Sequence, residues 1–466
     1  MSVATLSKNS PALLEPEEPL AARIARAATA TSFASLPSDV IDKTKVCLLD
    51  LIGCAFETRG LPWSRQALGL AQGALDGHGA AVIGSPQLVA YGDAAFVNAV
   101  MGHGLVREDM HSGSISHLGI VVLPTLLSLA QYRRVSGRDF INAAVVGYEV
   151  GGQIGRAVMD AEVAKIHRPT GVTGPVAAAA AGARLLALAV EATTSAIALG
   201  ANTTVGFNQW AHTGGSEMFF HAGFAARNAL TAVRLAEAGA FASPSALDGE
   251  AGLFASLNKR AAASGVELFR GQPEMLSVYH KPVPACNFAQ TACQAALRLS
   301  RDEDVAADRI ASITVRVPRA GALYPGCDYS GPFAHILQAK MSIQYNVASA
   351  LVLGSVSEKN FTLLNDPLLH RLIGMIKLEV DDAMTRAYPA LQGGEVEVTQ
   401  TDGTSRRVRL DNVVNATAQE VRDRFRLAAT GVVGLERADG IEQFIDALER
   451  CEDVGSLGIL LQPGKD

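Results

Sequence analysis

From about Leu20 to Leu257 the chain repeats apolar residues at three- and four-residue spacing, rich in Ala and Leu, which predicts one helix after another. Pro37, Ser38 and Asp39 supply a helix start before Val40, Ile41, Val46, Leu48, Leu49, Ile52 and Phe56. Small-residue faces such as Ala177 to Ala181 and Ala183 allow helices to approach closely. The pattern changes near Gly271. Beyond it Ile310 to Val317 alternates as a strand, and Gly394 to Thr399 and Arg406 to Leu410 flank the Asp402-Gly403 turn signal as a hairpin. Helical spacing lies between them at Phe288 to Leu299 and Ile343 to Leu353, and returns from Ala418 to Arg450. The expectation is a mainly α protein: a loose arm over residues 1–18, a large all-α domain over 19–270, and a smaller α+β domain over 271–417 with an antiparallel sheet backed by helices. Helices in 418–455 are expected to pack back on the first domain.

Composition narrows the function. In 466 residues, 48% are hydrophobic and 18% charged, enough for a large core, which sets disorder aside. A net charge of -6 without a long basic run argues against nucleic-acid binding. The N-terminus lacks an apolar signal region, and the most apolar stretches are broken by Pro124, Arg184 and Glu191, so no membrane association and a cytoplasmic location are expected. Six cysteines without CxxC spacing read as reduced core thiols, and they form no iron-sulfur ligand cluster.

Five polar segments stand out from this apolar background. His103, Arg107, Glu108, Asp109, His111 and His117 share one Gly/Ser-rich stretch, the composition of a loop that moves protons. Its histidine spacings do not match HExxH, so no metal is expected; the plain alternative is a solvated loop. His167 and Arg168 precede an Ala-rich helix, where a guanidinium fork and a helix N-terminus suit a carboxylate, although Arg168 would also serve as a structural ion-pair partner. Glu217 and His221 are four apart on a helix and share a face; a buried structural histidine is equally consistent. Lys281, held by Pro282 and Pro284 at the domain junction, would titrate low if desolvated, whereas on a surface linker it would do nothing. Tyr345 opens an apolar helix and reads either as a proton donor or as core.

In this order and at these separations, the segments resemble the MmgE/PrpD family, which includes 2-methylcitrate dehydratase, cis-aconitate decarboxylase and an aminopolycarboxylate epimerase. The likeness runs from Leu48-Leu49-Asp50-Leu51-Ile52-Gly53-Cys54 through Asn98 to His103, His117-Leu-Gly and Lys281-Pro-Val-Pro to Ser342-Ile-Gln-Tyr345. The resemblance implies a helical body with an α+β lid, a site in the cleft between them, a homodimer, no cofactor and a small polycarboxylate substrate. It assigns catalytic roles to His103, His117, Lys281 and Tyr345, and leaves Arg107, Arg168, His111, His167 and His221 for substrate binding. Three departures matter, one of them Arg168, which stands at the histidine position of the family's His-x-Thr with His167 adjacent. Val106-Arg107-Glu108-Asp109-Met110 replaces the family's Asp-x-Asp-Asp-Thr run, and Met218 stands where a lysine is expected.

Removing a proton α to a carboxylate needs a base and a cationic partner for the enediolate. With the Asp and Thr lost and arginines gained, the sequence points to an epimerase of an iminodisuccinate-like amino- or hydroxy-polycarboxylate. Dehydration of a 2-methylcitrate-like acid comes second and decarboxylation third. A silent binding protein on the same scaffold is the non-enzymatic alternative. A nucleotide-binding dehydrogenase is set aside, because the glycines from Gly147 to Gly155 follow no strand.

Overall fold

The computed structural model describes residues 18–75, 78–204, 206–301 and 305–464, so the arm expected over 1–18 lies outside them except for Glu18. The body is built around Ser38–Thr58, a helix entered through extended Pro37 that buries Val40, Leu48, Leu49, Ile52 and Phe56 on its inward face. Gly137–Val158 packs beside it and meets Pro169–Leu185 along a seam of small side chains. A Cβ at Gly151 would meet Ala177 at 2.9 Å, and one at Gly147 would meet Ala181 at 2.9 Å, so these glycines serve close helix approach. The opposite end of the same glycine face admits Ser114 against Gly155 and Glu274 against Gly152, which brings the His-rich loop and the domain junction onto one helix.

The second region carries a four-stranded sheet of β1 (Ile310–Val317), β2 (Ile376–Val380), β3 (Gly394–Gln400) and β4 (Ser405–Leu410), in the order β2-β1-β3-β4. β1 and β3 are antiparallel, with Val315 opposite Val396, and β3 and β4 form the hairpin around Gly403, whose φ of 84° suits glycine. β2 runs parallel to β1, so the sheet is mixed and not purely antiparallel. Ile313, Val315, Val317, Val396 and Val398 are buried, and the helix Gln290–Leu299 packs on this sheet as well as on Ile343–Leu353. The architecture is mainly α with one small sheet.

Two tethers join the regions. Met110–His111 pairs antiparallel with Val278–Tyr279, which stitches the His-rich loop to the strand leading into Lys281. The helix Ala418–Val433 returns to Ser38–Thr58, where Gly53 lets Phe425 approach. From that helix, Arg424 donates to Asp50 at 2.5 Å and to the Lys281 carbonyl at 2.9 Å, while His280 contacts the other Asp50 oxygen at 2.7 Å. Among the described residues no helix is long and apolar enough to cross a membrane.

Candidate active site at the junction

His103 closes the helix Tyr91–His103, and the chain then turns sharply. Val106 has φ 58° and Ile115 φ 52°, left-handed conformations that β-branched residues rarely adopt. Such strain persists only where the surroundings enforce it and clusters at functional sites. Here the Lys281 ammonium donates to the Val106 carbonyl at 2.5 Å, and both Val106 and Ile115 line a cavity.

Between them, Glu108 is fully enclosed and gathers two imidazoles. His103 Nδ1 lies 2.5 Å and His117 Nδ1 2.9 Å from Glu108 Oε1. Arg168 Nη2, which can only donate, faces His103 Nε2 at 3.0 Å, so that nitrogen carries the lone pair and Nδ1–H donates to Glu108. His117 Nδ1 also faces the Asp109 carbonyl at 3.0 Å, an acceptor, so its proton sits on Nδ1 and its Nε2 is free to accept. The ligand atoms of His103, Glu108 and His117 lie within 4.8 Å of one another, close enough to hold a metal ion in principle. The hydrogen-bond pattern does not fit one: metal on Nδ1 of His103 would move the proton to Nε2, against the Arg168 guanidinium.

Electrostatics agree with this proton placement. Burial pushes Glu108 up, but the two imidazoles outweigh it and hold the carboxyl well below its ordinary range. Burial drives His103 below 6.5 and His117 down to about 3 despite the opposing pull of Glu108, leaving both neutral. Lys281, with no exposed surface, is brought by burial down to about 8 against the attraction of Glu108. Arg168 completes the group: Nη1 donates to the Tyr324 hydroxyl at 3.1 Å, and its Nε–H is buried without a partner. Glu108 Oε2 and His221 Nδ1 are likewise unpartnered. Three unpartnered polar atoms in one neighbourhood can offer hydrogen bonds to a polar ligand.

The cavity is lined by Val106, His117, Arg168, Met218, Cys286 and Tyr324, among others, and encloses about 20 Å³. That holds about one water, whereas pockets for small ligands span roughly 300–1,000 Å³. In this arrangement the residues of the two regions leave no room for a small ligand.

Not every residue expected at the site reaches it. Arg107 turns outward onto Glu57 at 2.5 Å. His111 donates to Glu274 at 2.6 Å in a separate cluster. His167 is half-buried beside the Phe207 ring. Tyr345 points away from the cavity: its hydroxyl donates to the Asn360 carbonyl at 2.7 Å, its ring packs on Phe361 and Phe333, and burial pushes the phenol up to about 12. The helix start that orients it is capped by Ser342, so the motif fixes a core tyrosine. His221 is near, with burial and Arg168 lowering it to about 4. Tyr324 and Lys340 were not anticipated. Lys340 is buried, bonded to the Leu105 carbonyl at 3.2 Å and to Glu358 at 2.5 Å; its place two residues before Ser342 was the only signal, and Tyr324 gave none. All six cysteines are free, with Cys286 and Cys327 sulfurs 3.4 Å apart.

The sequence model described as the MmgE/PrpD N-terminal domain matches residues 22–264, and that described as the MmgE/PrpD C-terminal domain matches 283–450. A cis-aconitate decarboxylase-like protein of Aspergillus oryzae is 26% identical over 96% of this chain and 98% of its own length. Cis-aconitate decarboxylase of Aspergillus terreus is 25% identical, covering 91% and 92%. 2-Methylcitrate dehydratase of Cupriavidus necator is 26% identical, covering 78% and 79%.

Proposed function

The chain belongs to the MmgE/PrpD family, and from that premise we propose that it is a cofactor-free lyase acting on a small carboxylic acid in the cavity between body and lid. One observation carries the reading: a neutral imidazole with a free Nε2, an enclosed lysine and an arginine meet around the single carboxylate Glu108. Elimination needs both a base and an acid, and this group supplies them together.

In this reading Arg168 holds the substrate carboxylate and stabilises the enediolate. His117 Nε2 takes the α-proton, the electron pair moves into the carboxylate, and Glu108 stabilises the imidazolium. As the pair returns to form the alkene, the β carbon–oxygen bond breaks, and the Lys281 ammonium, leaving the Val106 carbonyl that it bonds in the closed structure, gives its proton to the departing hydroxyl, which leaves as water. The named relatives, a decarboxylase and a dehydratase, favour this lyase reading over epimerisation. Inversion without loss of a group is the second reading. Met218 favours it, because a thioether 2.9 Å from His103 Nε2 supplies no proton donor on that wall.

Proton NMR in deuterated water with 2-methylcitrate, cis-aconitate and simple β-hydroxy acids tests the proposal. Alkene formation or its reverse, or carbon dioxide release, is the expected outcome. Exchange and inversion of the α-carbon without either would overturn it in favour of the epimerase.

A further inference from the structure

We propose that the cavity selects a hydroxy acid bearing one carboxylate and an apolar arm, in preference to a tricarboxylate; this deepens the lyase reading and rests on it. Charge is the first argument. Among the described residues lining the cavity, Arg168 is the single lysine or arginine. Behind it, Lys281 and Glu108 are opposite in sign and adjacent, so they nearly offset one another. The other cations nearby are committed elsewhere: Arg107 to Glu57, Lys340 to Glu358 and Arg156 to Glu274. A trianion closed into this space would carry two carboxylates without a cation, which a dry interior resists strongly.

The walls make the second argument. Val106, Met110, Ile115, Met218, Phe288 and Met341 present hydrocarbon and thioether to the space. Methionines adapt to irregular aliphatic shapes and offer nothing to a carboxylate. The third argument is the pair of unsatisfied atoms. Arg168 Nε–H is a buried donor with no acceptor, and Glu108 Oε2 is a buried acceptor with no donor, behind the cavity-lining His117. An ionised oxygen in that position favours a hydroxyl and repels a second carboxylate. One acceptor group for Arg168, a negative charge behind His117 that disfavours a second carboxylate, and an apolar remainder describe a monocarboxylic acid with an aliphatic arm, whose β-hydroxyl comes from the lyase reading.

The test pairs binding with turnover on the full chain. Titration calorimetry with the unreactive probes 2-methylbutanoate and tricarballylate should give at least tenfold tighter binding of the monoacid. Turnover of a branched 3-hydroxyalkanoate should exceed that of citrate at least tenfold in kcat/KM. Met218→Lys, which adds an ammonium beside Arg168, should move both ratios at least tenfold towards the tricarboxylate, while Leu427→Lys on the exposed face of Ala418–Val433 leaves them unchanged. Tighter binding of tricarballylate, or binding of neither probe, overturns the proposal. Citrate-type turnover to an alkene with that result would leave the lyase reading standing. Preference for the monoacid without any elimination would uphold the selectivity and sink the lyase reading.

Discussion

Two clusters of the same residue types sit on either side of one short loop. In the first, His111, Arg156 and Gln153 surround Glu274, and every oxygen of that carboxylate is bonded. In the second, His103 and His117 surround Glu108, Arg168 leans on His103, and three polar atoms are left over. Both are buried, and both hold a carboxylate below its ordinary range. What separates them is completeness. A saturated cluster has no valence to offer a ligand and can only fasten structure, here the junction strand to the glycine face of Gly137–Val158.

The sharpest way to break this comparison is to remove function from one side and stability from the other. His117→Asn should lower kcat/KM by about 10²–10⁴-fold, the range for a general base, with the protein still folded by circular dichroism. Glu274→Ala should do the reverse. It strips a buried carboxylate from His111 and Arg156 and should cost about 3–5 kcal/mol in chemical denaturation, with kcat/KM of the folded protein changed by less than about threefold.

Acid titration should separate the two more finely. His117 is brought from 6.5 to about 3 in the fold, so the unfolded chain binds its proton first, and stability falls as pH drops below 6.5. For Glu274 burial acts upward, yet bonds from His111 and Arg156 bring it from 4.5 to about 2. Its contribution is complete above pH 4.5 and is lost as pH falls towards 2. Denaturation series should show the first loss shrinking in His117→Asn and the second in Glu274→Gln. On the activity side, Lys281 acting as an acid should make kcat/KM fall as pH rises past about 8.

The smallest effects should come from residues that belong to neither cluster. Arg107→Ala removes the ion pair with Glu57, outside the cavity lining, and Tyr345→Phe loses one bond to a backbone carbonyl, about 1 kcal/mol of stability. Each should leave kcat/KM within about threefold. A hundredfold loss in Tyr345→Phe would return the phenol to the chemistry and show that the cavity rearranges around substrate.

Much of this architecture was legible in the sequence because periodicity is local. The alternation at Ile310 to Val317 and the Asp402-Gly403 turn mark their strands, and the spacing after Pro37 marks the helix that anchors the body. β2 escaped notice although Ile376-Lys377-Leu378-Glu379-Val380 alternates, because a run of five residues is too short to stand out beside the longer strands and helices, and nothing local reveals that it pairs parallel to β1. The loop could be recognised as chemically dense, but not which of its side chains turn inward. Arg107 and Glu108 are neighbours with opposite fates, decided by the left-handed turn at Val106, and His111 is captured by Glu274, 163 residues away. Tyr345 lies outside the cavity lining because its motif also caps a helix, with Ser342 accepting from the Tyr345 N–H and securing the backbone.

The tightness of the cavity has a kinetic meaning. A space that admits about one water has no room for an acid, so on the proposed function Arg168 would meet substrate only while lid and body stand apart. Encounter and release then share one gate. On the proposed function, a gate that shuts behind the bound acid would commit it to reaction, and a dependence of kcat on solvent viscosity would report the parting of the two surfaces separately from the breaking of a bond.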